Sequence, residues 1–486
     1  MAKWQMYTCG TLSLFLLLVS IVLLVAHTFM EMVETKVKKA TVLKNGTEAY
    51  SAWADPPPPI YMKFYFFNVT NPLEVLDGEK PVVDEIGPYV YREYRPKENI
   101  VFLENGTEVS AVNPKTYVFD SILSKGNPST DLIRTVNIPV VTLLEMILKN
   151  KYVDLLRPII EGALKTYKEG IFTTRSVHEM LWGYNDPLLS LAHKVDTNIS
   201  ETFGLFNNMN ATNDGTYVVL SGSKGYMDFT RIVEWKDKRN LSWWSSDTCN
   251  MINGTDGTSF HPLIDKKDIL YMFSSDLCRS LYALYDSTKS VNDILAFRFV
   301  PPAKIFANVT INPDNAGFCV PAGNCLPSGL LNVSECKQGA PIILSSPHFY
   351  QADKSVINSI EGLSPNQNDH ETFLDINPLT GILLRAAKRM QVNVYIRQNP
   401  KFSSATKNIQ TLYFPVMHLS EAVIIDDDSS AKLKTILWKA RVVANVPFII
   451  MGLGIFFGII FVILVCRPHR TREQGTEEET ANLIRT

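Results

Sequence analysis

The 486-residue chain lacks the signatures of the common enzyme classes. No Gly-x-Ser-x-Gly puts a nucleophile on a strand-to-helix turn, and Gly222-Ser-Lys-Gly has the wrong spacing. There is no His-Glu-x-x-His; His178-Glu179 and His370-Glu371 are isolated pairs that read as surface or structural residues. No Cys-x-x-Cys or Cys/His cluster has zinc spacing. Asp426-Asp427-Asp428 lacks the EF-hand pattern and reads as a solvated loop. The expectation is a non-enzyme with no catalytic residue, cofactor or metal. A carboxylate pair for glycoside hydrolysis, defined only in space, is the one remote enzymatic reading. An excess of either charge is also missing (47 basic and 49 acidic residues), so nothing suggests a nucleic-acid surface. No Gly/Ser linker, low-complexity tract or internal repeat divides the middle of the chain.

Charge itself is missing from two long stretches. Residues 11–26 carry none, within an apolar run over 8–30, and residues 442–466 carry none either. Each run is long enough, at ~1.5 Å per residue, to cross a ~30 Å hydrocarbon core. The first exceeds the ~7–15 residues of a signal-peptide core, and Val25-Ala26-His27 is a poor cleavage site, so an uncleaved anchor is expected. Flanking charge does not orient the chain. Lys3, Arg467, Arg470 and Arg472 favour both tails in the cytoplasm, but Lys36, Lys38, Lys39, Lys432, Lys434, Lys439 and Arg441 flank the opposite faces. Sequons decide it. Asn45, Asn68, Asn105, Asn198, Asn210, Asn240, Asn253, Asn308 and Asn332 all lie between the runs. The expected organisation is a cytoplasmic tail 1–7, a span 8–30, a lumenal glycosylated domain 31–441, a span 442–466 and a cytoplasmic tail 467–486. Gly452, Gly454 and Gly458 would let another helix approach the second span, which leaves a homodimer open; glycine is also simply frequent in membrane helices.

Between the spans, short aromatic and β-branched runs begin at Ile60, Tyr89, Thr216, Ile269 and Gln391, punctuated by turn residues such as Asn105-Gly106. Pro56 to Pro59 reads as a polyproline spacer. Residues 139–170 differ: Val153, Leu156, Ile160, Leu164 and Tyr167 fall at helical spacing, and 175–194 is expected to extend that block. A large antiparallel β core with one helical cluster is expected. Five cysteines, Cys249, Cys278, Cys319, Cys325 and Cys336, lie between the spans, so at least one stays outside intramolecular pairs. Cys319 and Cys325 bracket a short turn that a local bridge would suit. Cys9 and Cys466 sit at membrane edges, open to S-palmitoylation but more simply apolar filler.

The C-terminal tail carries Glu479-Thr-Ala-Asn-Leu483-Ile484, an acid four residues ahead of a Leu-Ile pair. Two branched side chains need a hydrophobic slot and the acid a basic patch, the surface of a clathrin-adaptor complex.

Several segments resemble the class B scavenger receptor family: Phe64-Tyr-Phe-Phe-Asn-Val-Thr-Asn-Pro, Glu85-Ile-Gly-Pro-Tyr, Cys249-Asn-Met-Ile-Asn-Gly, Ser346-Pro-His-Phe-Tyr and His370-Glu-Thr-Phe-Leu-Asp-Ile. The resemblance implies an α+β fold, a large antiparallel β-barrel with an apical helical bundle (about 139–196) and an apolar tunnel. It implies bridges Cys278–Cys336 and Cys319–Cys325, with Cys249 free. It further implies a receptor of the lysosomal or late endosomal membrane that binds a lysosomal hydrolase, acid β-glucosidase, by its apex, and passes membrane lipids such as cholesterol. The alternative is a cell-surface receptor for lipid or lipoprotein. Leu155, Leu156, Ile159, Ile160 and Leu164 are the candidate partner-facing residues, among Lys149, Lys151 and Lys165. Release in acid calls for a histidine. Residues 139–170 have none, so His178 and His193 are the nearest candidates.

Replacing Leu483 and Ile484 with alanine is expected to move the protein to the plasma membrane, as read by surface biotinylation. Retention in lysosomes would remove the tail from the reading.

Overall fold

A computed structural model describes residues 2–148, 153–194, 197, 199–337 and 339–483. The chain divides into two compact units, residues 40–429 and residues 1–39 with 430–486.

In the smaller unit two apolar helices pack against each other. Ala2–Val25 and Val446–Leu483 contain windows, Trp4–Val25 and Val446–Cys466, that are long and apolar enough to span a membrane. The first helix stops at a turn where His27 takes φ +50°, and Thr28–Ala40 begins a separate helix, so the continuous apolar helix ends short of residue 30. Asn445 interrupts the chain before the second, and Pro447 falls in its first turn, where no intrahelical donor is needed. A side chain at Gly454 would meet Leu17 at 3.0 Å, one at Gly458 would meet Ser13 at 3.0 Å, and one at Gly10 would meet Phe461 at 3.0 Å. The helices therefore run antiparallel. Ser13 Oγ donates to the Gly454 carbonyl at 2.8 Å, a bond that replaces water in an apolar setting. Gly454 and Gly458 thus accommodate the chain's own N-terminal helix.

The larger unit is built on an 11-stranded sheet in which every described pairing is antiparallel. Its centre is Leu383–Ile396, Leu412–Ile424, Ile60–Val69 and Val83–Tyr94, in that order. Ile60–Val69 alternates strictly at first, with Ile60, Met62, Phe64 and Phe66 inward; the half-buried intervening residues face the opposite side. The register shifts between Phe64 and Phe66 opposite Gly87, whose φ is +138°, and a Cβ there would lie 2.7 Å from the Phe64 carbonyl. Only glycine fits that bulge. The path runs from Leu270–Ser274 at one edge to Thr116–Phe119 at the other, and no described strand pair joins the edges. The expected barrel is therefore present as a large antiparallel sheet without a hydrogen-bonded closure among the described residues. A four-stranded sheet, Ile232–Trp235, Thr216–Leu220, Glu108–Val112 and Glu98–Leu103, is separate from it.

The helical block comprises Ile138–Leu148, Val153–Tyr167, Val177–Trp182 and Pro187–His193. Ser176 and Glu179 close a capping box at the third, and Asp186 caps the fourth by accepting from two backbone N–H groups. Val140, Leu144, Ile160, Leu164, Met180 and Leu188 are buried and belong to the main core cluster.

Cys278–Cys336 and Cys319–Cys325 are bonded, and Cys249 is free and buried, the pairing the resemblance implied. Eight of the nine sequon asparagines are described and none is buried; Asn198 lies outside the described residues. The Cys278 bridge spans 58 residues and the Cys319 bridge 6. On chain entropy, changing Cys278 and Cys336 to serine should lower the unfolding free energy by about 4 kcal/mol. The same change at Cys319 and Cys325 should lower it by about 2 kcal/mol. Denaturant titration of the two variants checks the order.

Candidate functional site

The helical block places the predicted partner-facing residues on different sides of one helix. On Val153–Tyr167, Ile160, Ala163 and Leu164 turn into the core, while Arg157, Pro158 and Ile159 are exposed, Ile159 by 59%. Ile160 and Leu164 are therefore packing residues, because a contiguous apolar stripe on a surface helix faces its own protein. Ile159 is left as an exposed apolar group, along with Met146 and Tyr167 elsewhere in the block. The side chains of Leu155 and Leu156 lie outside the described residues, as do Ile484 and the side chains of Glu479 and Leu483.

The two candidate histidines are not brought together. His178 is exposed at the rim of a cavity of about 520 Å³, lined also by Tyr91, Tyr117, Trp182, Phe206 and Asn127. His193 is half-buried: its Nδ1 lies 2.7 Å from the Ile199 carbonyl and its Nε2 3.7 Å from Glu201 Oε1. Protonating His193 would strengthen its attraction to Glu201.

Three other histidines do converge, together with a carboxylate. Glu85, on Val83–Tyr94, receives His348 Nε2 at 2.5 Å and His418 Nε2 at 2.9 Å on the same oxygen, Oε2. His348 stacks on His370 at 4.5 Å, and His418 stacks on its cross-strand partner Tyr65 at 4.5 Å. All three imidazoles are buried, whereas Glu85 keeps 33% of its side chain open to solvent. His348 lies in the Pro347–Phe349 turn, where both His348 and Phe349 take positive φ, and its N–H donates to Gln391 Oε1. Sequence spacing carried no sign of this cluster, since the four residues come from four separate elements. Two of its histidines sit in segments that carried the family resemblance.

The donor atoms of Glu85, His348 and His418 lie within 4.8 Å of one another, a set that zinc chemistry could use. Hydrogen bonding argues against it. The backbone N–H of Ser364 donates to His348 Nδ1 at 3.1 Å, so that nitrogen carries a lone pair and the proton sits on Nε2, which donates to Glu85. A metal at Nε2 needs the reverse, an Nδ1–H that donates outward. The arrangement is a proton-holding cluster. Burial acts to raise the Glu85 carboxyl, but the hydrogen bonds from His348 and His418 outweigh it and hold it below the usual carboxylate range. Burial, then the neighbouring imidazoles of His348 and His418, push His370 down to about 4. Burial lowers His418 as well, against the pull of Glu85, and its Nδ1 is buried with no partner among the described residues.

A second polar centre lies along the same strands. Arg95 contacts Glu421 and lies 3.2 Å from Glu93; Lys388 contacts Asp276 and lies 3.8 Å from Glu421; Lys97 lies 3.8 Å from Asp256. Burial raises the Glu93 carboxyl even beside Arg95, and neither of its oxygens has a hydrogen-bond partner among the described residues.

Comparison with known proteins adds the following. The model of the CD36 family matches residues 11–465. Lysosome membrane protein 2 of Homo sapiens is 54% identical over 486 residues, covering all of both chains, and that of Rattus norvegicus is 52% identical over the same span. Scavenger receptor class B member 1 of Bos taurus is 34% identical over 438 residues, 88% of this chain and 84% of that protein.

Changing Glu85 to alanine would leave the His348 N–H donor without its acceptor in the core. It should lower the unfolding free energy at neutral pH by about 2 kcal/mol in denaturant titration. No loss would mean that the cluster contributes nothing to the fold.

Proposed function

The chain belongs to the CD36 family, and from that premise we propose that it is a lysosomal membrane receptor that carries a hydrolase, acid β-glucosidase, to lysosomes. The observation that carries the reading is the end-to-end match to lysosome membrane protein 2, tail included. The helical block supplies the docking surface, with exposed Ile159 as its apolar anchor. In this reading the tail motif Glu479, Leu483 and Ile484 is the adaptor-binding signal, with both tails in the cytoplasm and the sequon-bearing unit in the lumen. Release in acid is assigned to added charge at His178, in the third helix of that block.

The second reading, a cell-surface receptor that passes lipid such as cholesterol, is favoured by the 34% identity to scavenger receptor class B member 1. A wholly apolar path through a closed barrel is harder to reconcile with Arg95, Lys388, Glu93 and Glu421 among the central strands.

Capture of acid β-glucosidase by the full-length protein in detergent tests the proposal. Wild type should retain the hydrolase at neutral pH and lose it in acid. Changing Ile159 to aspartate, which places a charge on the anchor without touching the core, should weaken capture roughly tenfold or more. Equal capture by both would remove the helical block as the docking surface, and capture that ignores pH would remove the acid release.

A further inference from the structure

We infer that segment 362–367, exposed except at half-buried Leu363, is an acid-released strap, fastened in its middle by two histidine nitrogens that can accept hydrogen bonds only while neutral. The backbone N–H of Ser364 donates to His348 Nδ1 at 3.1 Å, and the backbone N–H of Asn366 donates to His370 Nδ1 at 3.0 Å. Residues 364–369 are exposed, whereas His348 and His370 are buried and stacked on each other. Pro365, between the two donors, has no N–H of its own.

The rest of the strap's attachment does not titrate in the same way. At its start Val83 N–H donates to the Glu361 carbonyl at 3.0 Å, and Glu361 N–H donates to the Pro81 carbonyl at 2.8 Å. At its end Arg389 Nη1 donates at 2.8 Å to the carbonyls of both Asn368 and Glu371. Both ends therefore stay pinned. Between them Leu363 packs against the core, and Asn366 accepts from the Asp369 N–H on its Oδ1 at 2.9 Å and from the His370 N–H on its carbonyl at 3.2 Å, so what depends on imidazole lone pairs is the bonding of the Ser364 and Asn366 amides.

A proton on Nδ1 turns each acceptor into a donor aimed at another donor, so the protonated ring and the fastened strap exclude each other. The groups that face the rings decide when this happens. Around His348 stand Glu85, His370 and His418; around His370 stand His348, His418, Glu85 and Asp369; Tyr65 and Arg389 stand beside His418. Glu85 and Asp369 draw protons in, while the neighbouring rings resist more than one charge. Solvent reaches the cluster at Glu85, the one member that is partly open. His370 is depressed in the fastened state, so the fastening is complete above its ordinary value near 6.5 and is lost as pH falls toward about 4.

Amide hydrogen exchange on the full-length protein in detergent micelles tests this, with rates corrected for intrinsic chemistry at each pH. Between about pH 7 and about pH 4 the protection of Asn366 should fall on the order of a hundredfold and that of Ser364 should fall with it, while the strands 383–396 and 412–424 keep theirs. The double variant His348→Asn with His370→Asn presents an amide oxygen that accepts the same bonds without titrating, and it should hold the strap at both pH values. Unchanged protection in wild type, loss spread evenly over the whole domain, or equal loss in the variant would each overturn the inference. Should the variant fail to fold, imidazole ¹⁵N spectra of the wild type decide the matter. Protonation of Nδ1 in step with the Ser364 and Asn366 amides supports the strap, and titration that leaves those amides undisturbed overturns it.

Discussion

The pairing register between Leu383–Ile396 and Leu412–Ile424 sets Gln391 opposite His418 and Lys388 opposite Glu421, and both polar centres of the larger unit depend on it. Side chains on a strand alternate, so a slip of one residue would turn every one of these groups to the wrong face. Ile60–Val69 reads the other side of the same strand, with Tyr65 opposite His418 and Met62 opposite Glu421. Buried polar groups tolerate no approximate partner, which makes them a stricter guide to register than the apolar residues around them. Gln391 illustrates this: its oxygen accepts from His348 N–H and its amide donates to Asn393, which in turn donates to the Ile343 carbonyl and Ser345.

Around that frame the chain divides its tasks by chemistry. The apolar helices hold each other by close glycine contacts and one serine hydrogen bond, the forces that count where water is absent. Apolar surface in the helical block is mostly buried, so the few exposed groups such as Ile159 stand out against a polar exterior. Titratable chemistry is concentrated in the sheet. Charge pairs there compensate one another, whereas the histidine cluster carries three imidazoles against one carboxylate.

The histidine cluster also shows why geometry alone misleads. Two imidazole nitrogens and a carboxylate oxygen within ligand range resemble a metal site until the second nitrogen of His348 is considered. Its backbone partner fixes the tautomer, and the tautomer fixes what the first nitrogen can do.

Much of this protein was legible in its sequence. Two uncharged apolar runs of membrane length, strands with aromatic and β-branched residues, the helical periodicity after Val153 and the sequons between the runs are local properties that the chain carries wherever it is placed. The pairing of the cysteines followed from resemblance rather than from spacing, and the structure has it. Other features were decided only by tertiary structure. Helical spacing said which residues of 153–167 share a face but not whether that face meets the core or a partner, and packing turned Ile160 and Leu164 inward while leaving Ile159 exposed. The histidines singled out by nearness to residues 139–170, His178 and His193, fall on two different helices of the block. Glu85 and His418 come from the strands on either side of Ile60–Val69, while His348 and His370 come from a turn and a short helix folded against them, and no local pattern records a contact made across 263 residues from Glu85 to His348.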